Sequence, residues 1–139
     1  MQRAQRRAEH LPLPIVWATA RAERLPFPDE YFQTVVGTLV LCTVADPLAA
    51  LREARRVLQK EGELRLLEHG QSGLPRRGWL QDRLTPLWRL LAGGCHLNRD
   101  PLALVEASGF TTRQVLSCES WKLFPIFRLD EIVAGRADN

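Results

Sequence analysis

Residues 25–70 read LPFPDEYFQTVVGTLVLCTVADPLAALREARRVLQKEGELRLLEHG, and the fold follows from the order of their parts. Residues 31–41 are apolar and rich in β-branched side chains, the pattern of a strand covered on both faces. Asp46 and Pro47 then supply a side-chain acceptor at a helix N-cap and a proline at the first helical position. Leu48, Leu51, Val57 and Leu58 fall near one helical face, with Arg52, Glu53, Arg55 and Arg56 on the polar faces. Residues 47–60 are therefore predicted to be helical, with Gly62 as the stop. Residues 63–68 alternate and read as the next strand. Strand, helix and strand at this spacing predict a parallel, right-handed βαβ unit.

Working outward, residues 1–10 are basic and read as the end of a helix, which Pro12 and Pro14 stop. Residues 15–19 (IVWAT) read as a further short parallel strand and residues 21–28 as a loop. Residues 71–78 hold Gly73, Pro75 and Gly78 and read as a loop. Residues 79–92 read as a helix that Pro86 breaks or kinks. Asp100 and Pro101 repeat the N-cap and proline start, and Gly109 ends that short helix. Residues 111–117 and 121–127 read as two closing strands paired antiparallel at a sheet edge, and residues 134–139 as frayed.

The 139 residues suffice for one domain with a real core. The net charge of +3 gives no argument for nucleic acid. Arginines nevertheless crowd two places: Arg3, Arg6 and Arg7 at the start, and Arg76, Arg77, Arg83 and Arg89 beyond the second strand. Cys42, Cys95 and Cys118 form no CxxC pair, and an odd count without a secretory leader points to reduced thiols in a cytoplasmic setting.

The segments LPFPDEYF and ADPLAALREARRVLQKEGEL resemble the second half of a class I S-adenosylmethionine-dependent methyltransferase domain. LVLCTV, LLEHG, the Trp-rich segment and GCHLNRD are similar to the thiol methyltransferase branch of that family. The resemblance covers residues 5–127 and implies an α/β fold, a partial Rossmann-like methyltransferase sheet. It also implies that the first βαβ unit with its glycine-rich loop is absent, so that the chain is N-terminally truncated. Accordingly, none of the nine glycines forms a GxG turn. Residues 1–139 are expected to form a single domain, with residues 79–99 as a lid or acceptor segment.

The resemblance assigns roles to several residues. S-adenosylmethionine is the cofactor it implies, weakly held in this chain. Ala22 and Glu23 stand in the loop that flanks the adenine, where Arg21 replaces the expected acid. Gly37, Thr38 and Leu39 lie where the family approaches the methionine moiety. A strand glycine permits close approach of a ligand or of packing neighbours, and both readings stand for Gly37. Glu68 and His69 would point toward the acceptor. His69 is the candidate base for a thiol or hydroxyl, against a histidine simply satisfied by backbone. Cys42 either lines the cofactor cleft or is a small buried apolar group.

Trp79, Leu80, Leu84, Leu87, Trp88 and Leu91 make an apolar stripe bordered by arginines. It reads as a lid over an apolar acceptor, as a segment on a membrane surface, or as a helix packed on the sheet. Trp79, Trp88 and His96 complete the candidate acceptor contacts. Cys95, His96 and Asn98 stand close in sequence, with His69 as a further donor, yet their spacing matches no zinc pattern and no metal is expected. The expected partner is a small apolar or thiol acceptor, with self-association or pairing with a full-length relative as further expectations. The competing readings are a methyltransferase of a small acceptor and a non-catalytic binding or regulatory remnant of one.

Overall fold

The computed structural model describes residues 2–119 and 128–137. In chain order the elements are α1 (Gln2–Ala8), β1 (Phe32–Thr38), α2 (Pro47–Val57), β2 (Leu58–Gly70), α3 (Pro75–Leu91), α4 (Pro101–Ala107), β3 (Phe110–Glu119) and β4 (Arg128–Arg136). The sheet order is β1-β2-β4-β3. β1 and β2 pair in parallel, with α2 as their crossover, while β4 runs antiparallel to both β2 and β3.

The predicted βαβ unit is present. Asp46 accepts a hydrogen bond from the Ala49 amide at 2.9 Å and caps α2, with Pro47 at its first position. Ala50, Leu51, Ala54 and Val57 form the buried stripe of α2. The core joins Leu51, Ala54 and Leu58 to Leu64 and Leu66 of β2, Val105 of α4, Phe110 of β3, and Ile132 and Ala134 of β4. Leu51 is 1% exposed. Leu51→Ala is therefore expected to lower the unfolding free energy by about 2–4 kcal/mol, the transfer loss plus the cavity. A urea melt of the variant that overlays the parent curve would contradict this packing.

The helix is shorter than its sequence pattern suggests. It ends at Val57, and Leu58 turns directly into extended backbone with no loop between. Leu58 is fully buried, so tertiary packing overrides the helical periodicity. The β1–β2 register jumps from Phe32↔Leu58 to Thr34↔Glu63, so residues 59–62 bulge out of the ladder. Gly62 sits in that bulge rather than at a helix end. A Cβ on it would lie 2.7 Å from Leu58 Cγ and 2.9 Å from the Gln59 carbonyl oxygen.

Residues 15–19 do not form a strand. They carry no ladder, and Val16 is 90% exposed. An extended segment needs a partner for its amides and carbonyls. Among the described residues no strand takes the outer edge of β1. At the other end, β3 matches its predicted place, but its antiparallel partner is β4. The expected strand over 121–127 lies outside the described residues. Residues 134–136, expected to fray, belong to β4, and Ala134 is fully buried. The inward alternation of β4 was masked because one inward position is a charged residue, Asp130.

α3 starts at Pro75, earlier than predicted, and continues through Pro86. Its buried face is Gly78, Gln81 and Thr85. The apolar stripe points largely outward, with Trp79 60%, Leu87 58% and Leu91 76% exposed. The reading of this stripe as the packed face is thus corrected. Polar bonds hold the helix instead: Gln81 Nε2 donates to the carbonyls of Gly70 (3.3 Å) and Leu97 (3.0 Å), and Gln81 Oε1 accepts from the Ser72 amide at 2.7 Å. α4 has its predicted form, with Asp100 as N-cap and Gly109 at φ +82° beyond its end.

A second set of polar bonds ties the turn ahead of β1 to α2. Glu53 accepts from Arg56 (2.8 and 2.9 Å) and from the Leu25 amide (2.9 Å). Arg56 also donates to the Phe27 carbonyl at 2.9 Å and to Asp29 at 2.7 Å. The Arg56 guanidinium, with help from the Leu25 amide, brings the Glu53 carboxyl down to about 2. This contribution to stability is fully present above the unfolded carboxyl value and is lost as the pH falls through about 2. The wild-type chain should lose about 1–2 kcal/mol more than Glu53→Gln between about pH 4.5 and 2, after discounting for solvent screening. Parallel acid titrations of thermal midpoint check this. Equal slopes for both proteins would refute it.

Candidate functional site

In an open α/β sheet, ligands meet the carboxyl ends of the parallel strands. Here those ends are Thr38 of β1 and Gly70 of β2. Beyond β1 the chain turns sharply. Leu39 has φ +52°, in the left-handed region, and its amide donates to the Leu67 carbonyl at 2.9 Å. The turn is then clamped from β2: Glu68 Oε1 accepts from the amides of Val40 (2.6 Å) and Leu41 (3.0 Å). Arg99 reaches across from the segment before α4 and donates to the carbonyls of Leu41 and of Val44, the latter at 2.8 Å. The His96 amide donates to the Cys42 carbonyl at 2.8 Å. Three separate segments are thereby fixed around one point.

Cys42, Glu68 and His69, all predicted contacts, lie close together. Cys42 and Glu68 are buried, and His69 is 9% exposed. His69 Nε2 lies 3.0 Å from Cys95 Sγ. The ligand atoms of Cys42, His69 and Cys95 all lie within 4.8 Å of one another. His96, grouped with Cys95 on sequence grounds, faces elsewhere; its Nδ1 lies 3.1 Å from the Cys42 carbonyl oxygen. Burial of Glu68 raises its carboxyl above the ordinary range, against the pull of the Leu41 and Val40 amides. Burial also lowers His69, favouring the neutral ring. Burial, followed by the charges of Cys95 and Glu68, pushes the Cys42 thiol up to about 12.

The tryptophans are placed differently. Trp79 lies on the outer side of α3, where Arg83 stands 5.2 Å over its ring. Trp88 is half-buried. Sequence reading missed Arg99 and Gln81, which set the geometry. Arg99 stood in the quoted GCHLNRD motif, but nothing local marks an arginine that binds carbonyls more than fifty residues away. A glutamine at a helix position is equally silent.

On the cofactor side, Ala22 and Gly37 share an apolar groove of about 230 Å³ with Leu25, Val36, Val40 and the inner face of α2. A Cβ on Gly37 would come 2.7 Å from Leu66 Cδ2, so a side chain there would have to push the end of Leu66 aside. Glu23 is turned toward α2, accepting from the Asp46 amide at 3.4 Å. Its carboxyl lies below the ordinary range, chiefly through backbone hydrogen bonds. Thr38 and Leu39 are exposed at the end of β1.

A methyltransferase domain family matches residues 1–66. The rat thiol S-methyltransferase TMT1B is 36% identical over 88 residues, covering 63% of this chain and 36% of the relative. The human thiol S-methyltransferase TMT1A is 33% identical over 99 residues, covering 68% of this chain and 41% of the relative. The chain thus spans about two fifths or less of the length of these relatives. Among solved structures, a methyltransferase of Thermotoga maritima superposes with a TM-score of 0.60 at 23% identity, covering 84% of this chain and 61% of that one. A geranyl diphosphate methyltransferase in complex with S-adenosylmethionine gives 0.66 at 13% identity, covering 85% and 56%.

S-adenosylmethionine is the cofactor by this resemblance, and its fit to the residues present is partial. The end of β1 and the turn at residues 21–24 offer one wall. Leu66 packs against Gly37, Glu23 accepts a hydrogen bond from the Asp46 amide, and the sequence holds no GxG turn. The sequence likeness and the shared sheet together place the chain with the class I S-adenosylmethionine-dependent methyltransferases, with thiol S-methyltransferases among the relatives it is similar to.

Proposed function

We propose that these residues form the acceptor side of an S-adenosylmethionine-dependent methyltransferase that acts on a small apolar acceptor, a thiol above all. We further propose that the 139-residue chain by itself holds the cofactor weakly. The observation that carries the reading is the gathering of Cys42, Glu68 and His69 at the carboxyl end of β2, beside the end of β1. Methyl transfer is an in-line displacement, in which positioning supplies much of the rate. A thiol acceptor ionises readily and needs little general base. The outward stripe of α3, with Arg76, Arg77, Arg83 and Arg89 beside it, supports an acceptor-side lid or contact with an anionic membrane surface. No helix among the described residues is long and apolar enough to cross a membrane.

The test is transfer of labelled methyl to a panel of alkyl thiols, alcohols and amines at micromolar and millimolar cofactor. Slow transfer to apolar thiols, appearing only at millimolar cofactor, is the expected result. Preference for amines or alcohols would overturn the acceptor class.

One observation favours a second, non-catalytic reading. The outer edge of β1 is unpaired among the described residues and Val36 is 69% exposed. Such an edge invites strand addition from a second copy or an intact relative. Light scattering that shows a monomer across a wide concentration range, with and without the relative, would remove it.

A further inference from the structure

We propose that Cys42, His69 and Cys95 form a binding site for a soft divalent cation of the zinc class. The three residues come from three segments: the turn after β1, the end of β2, and the turn after α3. Their ligand atoms lie within 4.8 Å of one another. A tetrahedral zinc ion, at about 2.3 Å from sulfur and about 2.0 Å from nitrogen, needs donors roughly 3.5–3.8 Å apart. The His69–Cys95 separation of 3.0 Å has to open slightly, and the widest separation, within 4.8 Å, has to close by up to about 1 Å. Two sulfurs and an imidazole are the donor set that selects zinc over magnesium or calcium. Three protein ligands leave the fourth position for water.

The surroundings hold the donors in place. Glu68 and Arg99 clamp the backbone on either side of Cys42, and the His96 amide ties the Cys95 turn to the Cys42 carbonyl. Gln81 anchors α3 to Gly70, beside His69. Such preorganisation is what a metal site requires. The buried carboxyl of Glu68 has one oxygen, Oε2, without a hydrogen-bond partner among the described residues. Binding releases the protons of the two thiols to solvent and changes no oxidation state. Sequence spacing hides this site because its members are separated by 27 and 26 residues, far from any paired-cysteine motif.

The experiment uses the full chain, purified under reducing conditions and freed of metal. Zinc is titrated against a chromophoric chelator, and cobalt(II) is added separately as a spectroscopic probe. One equivalent of zinc should bind, cobalt should give a thiolate charge-transfer band, and the thermal midpoint should rise. Cys95→Ser, at a half-buried position, should weaken zinc by at least about tenfold, the lower bound set by outer-shell changes in known sites. Cys42→Ser should do the same, with circular dichroism reporting its fold. Cys118→Ser, at an exposed position, should leave affinity unchanged. A wild-type chain without the cobalt band would overturn the proposal. Equal zinc affinity in Cys95→Ser, or a disulfide joining Cys42 to Cys95 in its place, would do so too.

Discussion

Arg128→Met is expected to destabilise the fold by about 3–5 kcal/mol, close to the whole stability of a small domain. The residue lies on β4, beside the carboxylate of Asp130, which is 1% exposed. Arg128 donates to Asp130 through Nε at 2.9 Å and Nη2 at 2.8 Å, and Ser117 Oγ of β3 donates to the same carboxylate at 2.6 Å. β4 is the strand that joins the parallel pair to β3, so an uncompensated charge here strikes the middle of the sheet. The space is also closed: a Cβ on Gly70 would lie 2.9 Å from Asp130 Oδ2 and 3.2 Å from Arg128 Nη2. Asp130→Asn keeps the shape and removes the charge, so the double variant Arg128→Met/Asp130→Asn should recover a good part of the loss. Denaturant melts of the four proteins give the coupling. A single variant within about 0.5 kcal/mol of wild type, or a double variant no better than the single, would refute this account.

The same pair shows where sequence reading stops. The parallel β1–α2–β2 unit was legible because each of its signals is local: an apolar run, a cap, a proline and a helical stripe. β4 was illegible because its inward face begins with Asp130, and the arginine and serine that satisfy it make sense only after the strands pair. Residues 15–19 erred in the opposite direction. Their composition suits a strand, but composition does not supply a neighbour. Packing on the sheet was one reading of the α3 stripe, whereas Gln81 holds the helix through backbone carbonyls.

The candidate site divides in the same way. The resemblance put Cys42, Glu68 and His69 at strand ends, and the fold brings them near one another. The membership of the sulfur and imidazole cluster was not legible, because proximity in sequence pointed to His96 where the fold brings Cys42. Adjacent residues on a turn point in different directions, so His96 turns its ring to a carbonyl while Cys95 meets His69.

Isothermal calorimetry of the purified, monodisperse chain with S-adenosylhomocysteine is expected to show binding no tighter than millimolar. Three grips hold such a ligand in this fold: glycine-turn amides, a carboxylate on the ribose, and the adenine loop. The sequence offers no GxG turn for the first. A charge-assisted bond to the ribose is worth about 1.5–3 kcal/mol. Without such a bond and the glycine-turn contacts, affinity would fall by roughly two to four decades, at about 1.4 kcal/mol per decade. The third grip is reduced as well. By the resemblance Arg21 stands where the family has an acid, and Glu23 accepts from the Asp46 amide. Arg21→Asp tests what the remaining loop can do: it should improve binding by less than tenfold, since one exposed hydrogen bond contributes about 1 kcal/mol. Micromolar binding by the unmodified chain would show that the end of β1, with Thr38 and the left-handed turn at Leu39, grips the cofactor without the other two.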